Sequence, residues 1–332
     1  MDSARIVGRP EPHSPVRLTD KLGNSFLFKP IQCPVCKQDH TKKVGLRGGK
    51  YQRLNLGIET IIVRCLSCGL LYPNPFPFPE NPQRLYGEPD KYFEYHSISG
   101  KVTASKSLLE IIRVKTGLSC PAVLDVGSGR GELLKAAKDS GIARVVGLDF
   151  SRAMVEFSRR TWGIDVRLQS IEEHAIDNAG TYDAVVLNAI LEHVYRPDLM
   201  VESASKLLRK DGILYINCPN EPNLITSSYA LAALARHSRG VINLAPTFPP
   251  YHVFGFNSRS LTALLEQYGF AVESIRLHGA PFRIKPNGIN EAVKIYVANA
   301  LNAIANFTGT AHNMFVWARL HSGREANPTS LR

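Results

Sequence analysis

VLDVGSGRGELL at residues 123–134, followed by VVGLDFS at 145–151, decides how this chain is read. Val123–Val126 is a short apolar run that stops at a glycine turn. Gly127, Gly129 and Gly131 let the backbone approach a ligand, and Glu132–Lys138 starts a helix. A second apolar run closes at Asp149, 18 residues past Gly131. Strand, turn, helix and a second strand tipped by a carboxylate make a cradle in which a ribose is gripped through its hydroxyls. Dinucleotide sites space their glycines as G-x-G-x-x-G. This loop reads G-x-G-x-G, with Asp125 two residues ahead of the first glycine.

Downstream, the pattern continues as an α/β fold. Strand three is expected at Asp165–Leu168, ending at Gln169-Ser170-Ile171. Strand four is Tyr182–Leu187, ending at Asn188 and running into Ala189-Ile190-Leu191-Glu192-His193-Val194. A helix over Pro197–Leu208 leads to strand five, Ile213–Asn217, and then Cys218-Pro219-Asn220. His252-Val253-Phe254-Gly255-Phe256-Asn257 precedes a helix at Ser258–Gln267, Gly269-Phe270 begins another strand, and His312–Leu320 is the last one.

The glycine loop resembles motif I of the class I S-adenosylmethionine (SAM) methyltransferases, and the LEHV stretch resembles their ubiquinone-pathway O-methyltransferase and sugar- or antibiotic-tailoring subgroup. The His252 segment and the LLE-x-x-GF stretch that follows match the same subgroup, so the resemblance covers about residues 96–320. It implies a Rossmann-like, mostly parallel sheet with an antiparallel last strand. It further implies that Asp125 and the backbone of Gly127, Gly129 and Gly131 lie against the methionine part of SAM, and that Asp149 takes the ribose hydroxyls. Gln169, Ser170 and Ile171 border the adenine, and Asn188 closes the methionine end. His193 is the first candidate for a general base, with Glu192 as an orienting group; loop bonding and a turn cap are the competing roles. Tyr251, His252, Asn217 and Asn220 are candidates for the acceptor pocket.

Four of the six cysteines form Cys33-Pro-Val-Cys36 and Cys65-Leu-Ser-Cys68-Gly69, separated by 28 residues. Each pair folds as a knuckle offering two thiolates, and two knuckles complete a closed, structural zinc site. Disulfides are the competing reading; nothing points to secretion. Cys120 and Cys218 stand alone and read as buried apolar residues. Pro73–Pro79 reads as a stiff extended linker. The expected organisation is a tail at 1–27 (mobile, or an extended strand), a zinc ribbon at 28–80, a linker at 81–96 and the catalytic domain at 97–332.

Net charge is +11, and its placement is informative. Residues 96–221 carry 16 basic and 16 acidic side chains, whereas residues 222–332 carry 10 basic and 4 acidic. No carboxylate lies between Glu221 and Glu266, or between Glu273 and Glu291. The null case is a solvated basic surface; the functional case is an anionic acceptor such as a sugar nucleotide, a lipid-linked phosphate or RNA. No run reaches the ~18 apolar residues of a membrane span and the N-terminus lacks an apolar signal core, so a cytoplasmic protein is expected. The leading expectation is methylation of a small-molecule or glycan hydroxyl. An RNA methyltransferase and a non-catalytic scaffold with a docking ribbon are the alternatives. The Ala-rich Ser228–His237 stretch reads as a lid. The amphipathic Asn290–Ala305 stretch is expected to pack on its own domain, with a dimer or peripheral membrane contact left open.

Overall fold

The computed structural model describes residues 15–86, 98–281 and 288–321. The expected tail up to residue 14, the aromatic segment after Tyr86, Arg283 and Lys285 lie outside the described residues. Two small antiparallel sheets open the chain. Strand β1 (Val16–Thr19) pairs with β2 (Ser25–Lys29), so residues 16–19 and 25–27 take the extended alternative. Strands β3 (Thr41–Arg47), β4 (Thr60–Cys65) and β5 (Leu71–Pro73) form the second sheet, and β6 (Phe76–Pro79) returns to pair with β2.

That pairing corrects the linker reading of Pro73–Pro79. Strand β6 lies at the edge of its sheet, where prolines are tolerated because one side needs no donors. Phe76 is fully buried and stacks on Phe254 at 5.3 Å, which anchors the segment.

After one helical turn at Pro82–Leu85, helices and strands alternate: α1 (Ile98–Thr116), β7 (Ala122–Val126), α2 (Glu132–Ser140), β8 (Arg144–Asp149), α3 (Arg152–Trp162) and β9 (Arg167–Leu168). They continue as α4 (Ile171–Asp177), β10 (Tyr182–Asn188), α5 (Pro197–Leu207), β11 (Leu208–Pro219), α6 (Leu224–Ala235), α7 (Ser258–Gln267), β12 (Phe270–His278), α8 (Ile289–Thr308) and β13 (Asn313–Leu320). The seven-stranded sheet runs β12-β13-β11-β10-β7-β8-β9, and β13 is antiparallel to both its neighbours. The expected α/β class and antiparallel last strand are therefore present. Strand β9 is shorter than expected, and β11 is longer, starting directly after α5.

The near-continuous apolar runs follow from burial on both faces. Val123, Ala184, Val186 and Ile213 face Leu109 and Ile112 of α1 and Leu133, Ala136 and Ala137 of α2. The alternate residues Leu124, Val126, Val185, Leu187, Leu214 and Ile216 face Met200, Val201 and Ala204 of α5 and Leu261 and Leu264 of α7. The strand period of two thus fills two cores at once.

The second core also contains Cys33, Val35, Cys65, Cys68, Leu70 and Tyr72, so the cysteine knuckles pack directly on the large sheet's helical layer. Polar bonds fix the contact: Lys37 pairs with Asp198 at 2.9 Å, and Gln267 Nε2 donates to Val35 O at 3.1 Å. Asn257 serves both sides of this contact. Its Oδ1 caps α7 by accepting from Ser260 N at 2.9 Å, and its Nδ2 donates to Gly69 O at 2.9 Å. Cys218 is buried as expected, but Cys120 is exposed in the α1–β7 connection.

Replacing Asn257 by Ala removes cap and clamp together. The Asn257→Ala protein should lose about 1–3 kcal/mol of stability in urea unfolding; a loss below ~0.5 kcal/mol would show that neither bond matters.

Candidate functional site

The order of strands reverses between β7 and β10, and ligands of open parallel sheets bind at the carboxyl ends beside such a switch. The glycine turn sits there. Gly127 has φ +69°, and a Cβ on it would lie 2.7 Å from Ile190 of the turn after β10. A Cβ on Gly131, at φ +80°, would lie 2.7 Å from Ser158 Oγ of α3. The glycines therefore allow the turn to close on its surroundings while keeping its amides at the sheet edge.

Asp149 ties the turn to the next strand. Its Oδ2 accepts from Gly129 N at 2.8 Å and its Oδ1 from Ser151 N at 2.8 Å. Burial raises its carboxyl to about 6, against the pull of those amides. Asp125 is buried in the strand end before the turn. Burial raises it to about 7, with Ser128 opposing and Glu132 and Asp149 adding to the rise. Glu132 is buried as well and holds the equally buried Arg130, at 3.0 Å from Nε and 2.8 Å from Nη2. Glu132 and Arg130 were not among the sequence candidates. Three buried carboxyl groups lie around one turn, and two cations, Arg130 and Lys101, face one of them, Glu132, so Asp125 and Asp149 suit a ligand that brings positive charge and hydroxyls. A sulfonium nucleoside has both.

The other expected cofactor contacts are dispersed around that turn. Gln169 N donates to Asp149 O at 3.2 Å, and Gln169 Oε1 lies 3.1 Å from His174 Nδ1. Ser170 caps α4 in a capping box with Glu173, and Ile171 is buried beneath it. Asn188 is at the tip of β10, where its Oδ1 accepts from Asn217 Nδ2 of β11 at 2.9 Å. Asn217 thus belongs to the sheet edge. Asn220 is buried and donates to Ala311 O at 2.9 Å, holding the start of β13.

The turn after β10 is tight. Ala189 adopts φ +55°, its N–H bonds Asn217 O at 2.8 Å, and His193 N bonds Ile190 O at 3.0 Å. This directs Leu191 and Glu192 inward, and the Glu192 carbonyl accepts from Val253 N at 2.8 Å. Glu192 Oε1 lies 3.8 Å from His193 Nε2, and the His193 and His252 rings are 4.7 Å apart. Glu192 Oε2 and His193 Nδ1 are buried with no hydrogen-bond partner among the described residues. Burial pushes Glu192 up to about 8 and His193 down to about 3, the latter helped by His252, which is itself lowered to about 4 by burial. The three side chains bring ligand atoms within 4.8 Å of one another, a donor set suited to a proton relay or a divalent cation.

Aromatic rings join the two halves of the site. Tyr86 lies 5.4 Å from Phe150, which follows Asp149, 5.6 Å from Tyr251 and 6.3 Å from His193. Tyr251 itself is buried at φ +64°. Tyr86 and Phe150 were missed in the sequence; the only signal was the aromatic cluster beginning at Tyr86.

Away from this edge, the four cysteine sulfurs lie within 4.8 Å of one another. The Cys33–Cys68 and Cys36–Cys65 separations are 3.5 and 3.4 Å, too long for disulfides of ~2.05 Å. They are near the edge of a tetrahedron with ~2.3 Å zinc–sulfur arms. The two knuckles are alike: Lys37 N bonds Cys33 O at 2.8 Å, and Gly69 N bonds Cys65 O at 2.9 Å. The buried Tyr72 hydroxyl, beside these sulfurs, has no partner among the described residues and could serve a thiolate. The set fits a structural zinc ion.

Comparison with known proteins places this geometry. Residues 101–275, more than half of the chain, match the family described as "Methyltransferase domain". A ubiquinone biosynthesis O-methyltransferase of Xanthomonas oryzae pv. oryzae is 30% identical over 131 residues, covering 38% of this chain and 53% of that protein. One from Xanthomonas axonopodis pv. citri is 27% identical over 172 residues, covering 50% and 70%. The chain spans about half the length of the first curated relatives it matches. A SAM-dependent methyltransferase structure from Archaeoglobus fulgidus aligns with TM-score 0.47 at 22% identity, covering 69% of this chain and 96% of that one. The chain belongs to the methyltransferase-domain family.

Proposed function

We propose that this enzyme methylates a hydroxyl oxygen of a small saccharide-type acceptor in the cytoplasm: a sugar, a sugar nucleotide or a lipid-linked saccharide. The observation that carries the reading is the Glu192–His193–His252 cluster at the end of β10, with Glu192 buried and both histidines half-buried, which adjoins the glycine turn through Ile190. Asp125 and the Gly127, Gly129 and Gly131 backbone would lie against the methionine part of SAM, Asp149 would take the ribose, Gln169, Ser170 and Ile171 would border the adenine, and Asn188 would close the methionine end. When bound, SAM supplies a methyl group already activated as a sulfonium.

This chain's own residues then bind the acceptor, exclude water and take a proton. His193 is neutral at pH 7 because burial lowers it, so a ring nitrogen is available to accept the hydroxyl proton. The cation formed would be 3.8 Å from Glu192 Oε1 and favoured once that carboxyl ionises. The half-buried Tyr86, backed by the buried Tyr251, offers a ring for the CH surface of a sugar, and the Asn188–Asn217 amides offer bonds for its hydroxyls. The names of the curated relatives support oxygen as the methylated atom. The same aromatic rings favour a phenolic ring as the second reading.

The zinc ion we assign to Cys33, Cys36, Cys65 and Cys68 is structural, because four thiolates leave no open position. Its removal should act through the shared core. Elemental analysis should find one zinc per chain, and Cys33→Ser should lower both zinc content and the melting temperature; full stability without metal would refute the assignment.

Labelled SAM incubated with fractionated cell extract should pass label to a glycan or small-molecule pool. Label confined to RNA would overturn the acceptor class. His193→Ala should keep SAM affinity within about twofold while lowering turnover about 10²–10⁴-fold; unchanged turnover would remove His193 as the base.

A further inference from the structure

Helix α8 faces the wrong way for a helix that only packs on its own domain. At 100° per residue, Ile289, Val293, Tyr296, Val297, Ala300, Ile304 and Phe307 fall on one stripe about 100° wide. That stripe is exposed: Phe307 is 93%, Ile289 81% and Tyr296 76% accessible, and Val293, Val297 and Ile304 are about half. The opposite face turns amides inward. Asn302 Nδ2 donates to Ala280 O at 2.8 Å, Asn306 Oδ1 accepts from Gly279 N at 2.7 Å, and Asn306 Nδ2 returns a bond to Gly279 O at 2.9 Å. Rolling the helix to bury its apolar side would break all three bonds, so its orientation is held. The expectation that the apolar side of Asn290–Ala305 packs on its own domain is corrected accordingly: of Val293, Val297, Leu301 and Ile304, only Leu301 is not exposed.

The neighbouring helix α6 extends the surface with Leu231 and Leu234, both exposed. Leu224 N bonds Thr310 O at 3.1 Å, so α6 begins where α8 ends. Strand β13 then pairs its first residue, Asn313, with Pro219 at the end of β11. The C-terminal end of α8 therefore lies at the same sheet edge as Asn188 and Asn217. An apolar stripe running along a 20-residue helix, about 30 Å long, is far larger than the scattered exposed side chains of an ordinary surface.

Charge selects the occupant. Arg236 and Arg239 follow α6 and are exposed, α8 itself carries one charge of each sign, Glu291 and Lys294, and the chain has no carboxylate from 222 to 265. A bilayer with anionic headgroups accepts both the stripe and its basic margin. Among the described residues no helix is long and apolar enough to cross a membrane, so the contact is in the plane of the surface.

We propose that α8, with the exposed side of α6, docks this enzyme on an anionic lipid surface and so presents the site's sheet edge to acceptors held there. The docking does not depend on which hydroxyl is methylated. In flotation assays the purified protein should bind vesicles of phosphatidylcholine with about one-third phosphatidylglycerol at least about tenfold more tightly than phosphatidylcholine alone. The double variant Ile304→Ser, Phe307→Ser should weaken that binding about tenfold or more, with an unchanged circular dichroism spectrum. The charge reversal Arg236→Glu, Arg239→Glu should abolish the preference for phosphatidylglycerol. No binding to the anionic vesicles, or binding that both variants leave intact, would overturn the proposal. So would a lipid-free dimer in analytical ultracentrifugation that the serine pair converts to monomer, since the face would then belong to a second copy.

Discussion

The bond from Gly129 N–H to the Asp149 carboxylate is the contact on which the site depends. It joins the turn after β7 to the tip of β8 and so fixes two neighbouring strand ends as one surface. The carboxylate accepts a second amide from Ser151, which holds it at the strand tip instead of letting it turn to solvent. An acid so buried ionises less readily than usual, and amides pull it back toward the charged form. That balance leaves a partly satisfied acceptor at the sheet edge. Ile190, seated against Gly127, carries the constraint across to the turn that holds Glu192 and His193.

A second consequence concerns the cysteine knuckles. They share a hydrophobic cluster with Val253, Phe254 and Phe256, the residues that follow His252. The Val253 and Phe254 amides bond the Glu192 carbonyl, so the cysteine knuckles and the turn after β10 are supported by one stretch of chain. Strands cross the same boundary: Leu71 and Gly255 exchange hydrogen bonds of 3.0 and 2.9 Å, and Leu46 bridges Gly240. A zinc ion at the four thiolates would therefore influence the shape of the acceptor side without touching the acceptor.

Much of the frame was legible in the sequence because its signals are local. Three glycines within five residues, two Cys-x-x-Cys pairs and the apolar runs of β7, β8 and β10 each state their structure within a dozen positions. What was not legible depends on partners distant in the chain. Within the proline-rich Pro73–Pro79, Phe76–Pro79 became an edge strand because β2 lies beside it and Phe254 covers Phe76. Tyr86 entered the site only through Phe150, Tyr251 and His193. Helix α8 showed its amphipathic period in sequence, but periodicity does not say which face is inward. The backbone at Gly279 and Ala280 decided that by capturing Asn302 and Asn306.

Calorimetric titration of SAM into the wild-type enzyme and the Asp149→Ala variant tests the central claim most directly. The account predicts one SAM per wild-type chain and affinity at least about tenfold weaker in the variant, as loss of a charged bonding partner implies. Equal affinity in the two proteins, or no heat of binding in the wild type, would contradict it.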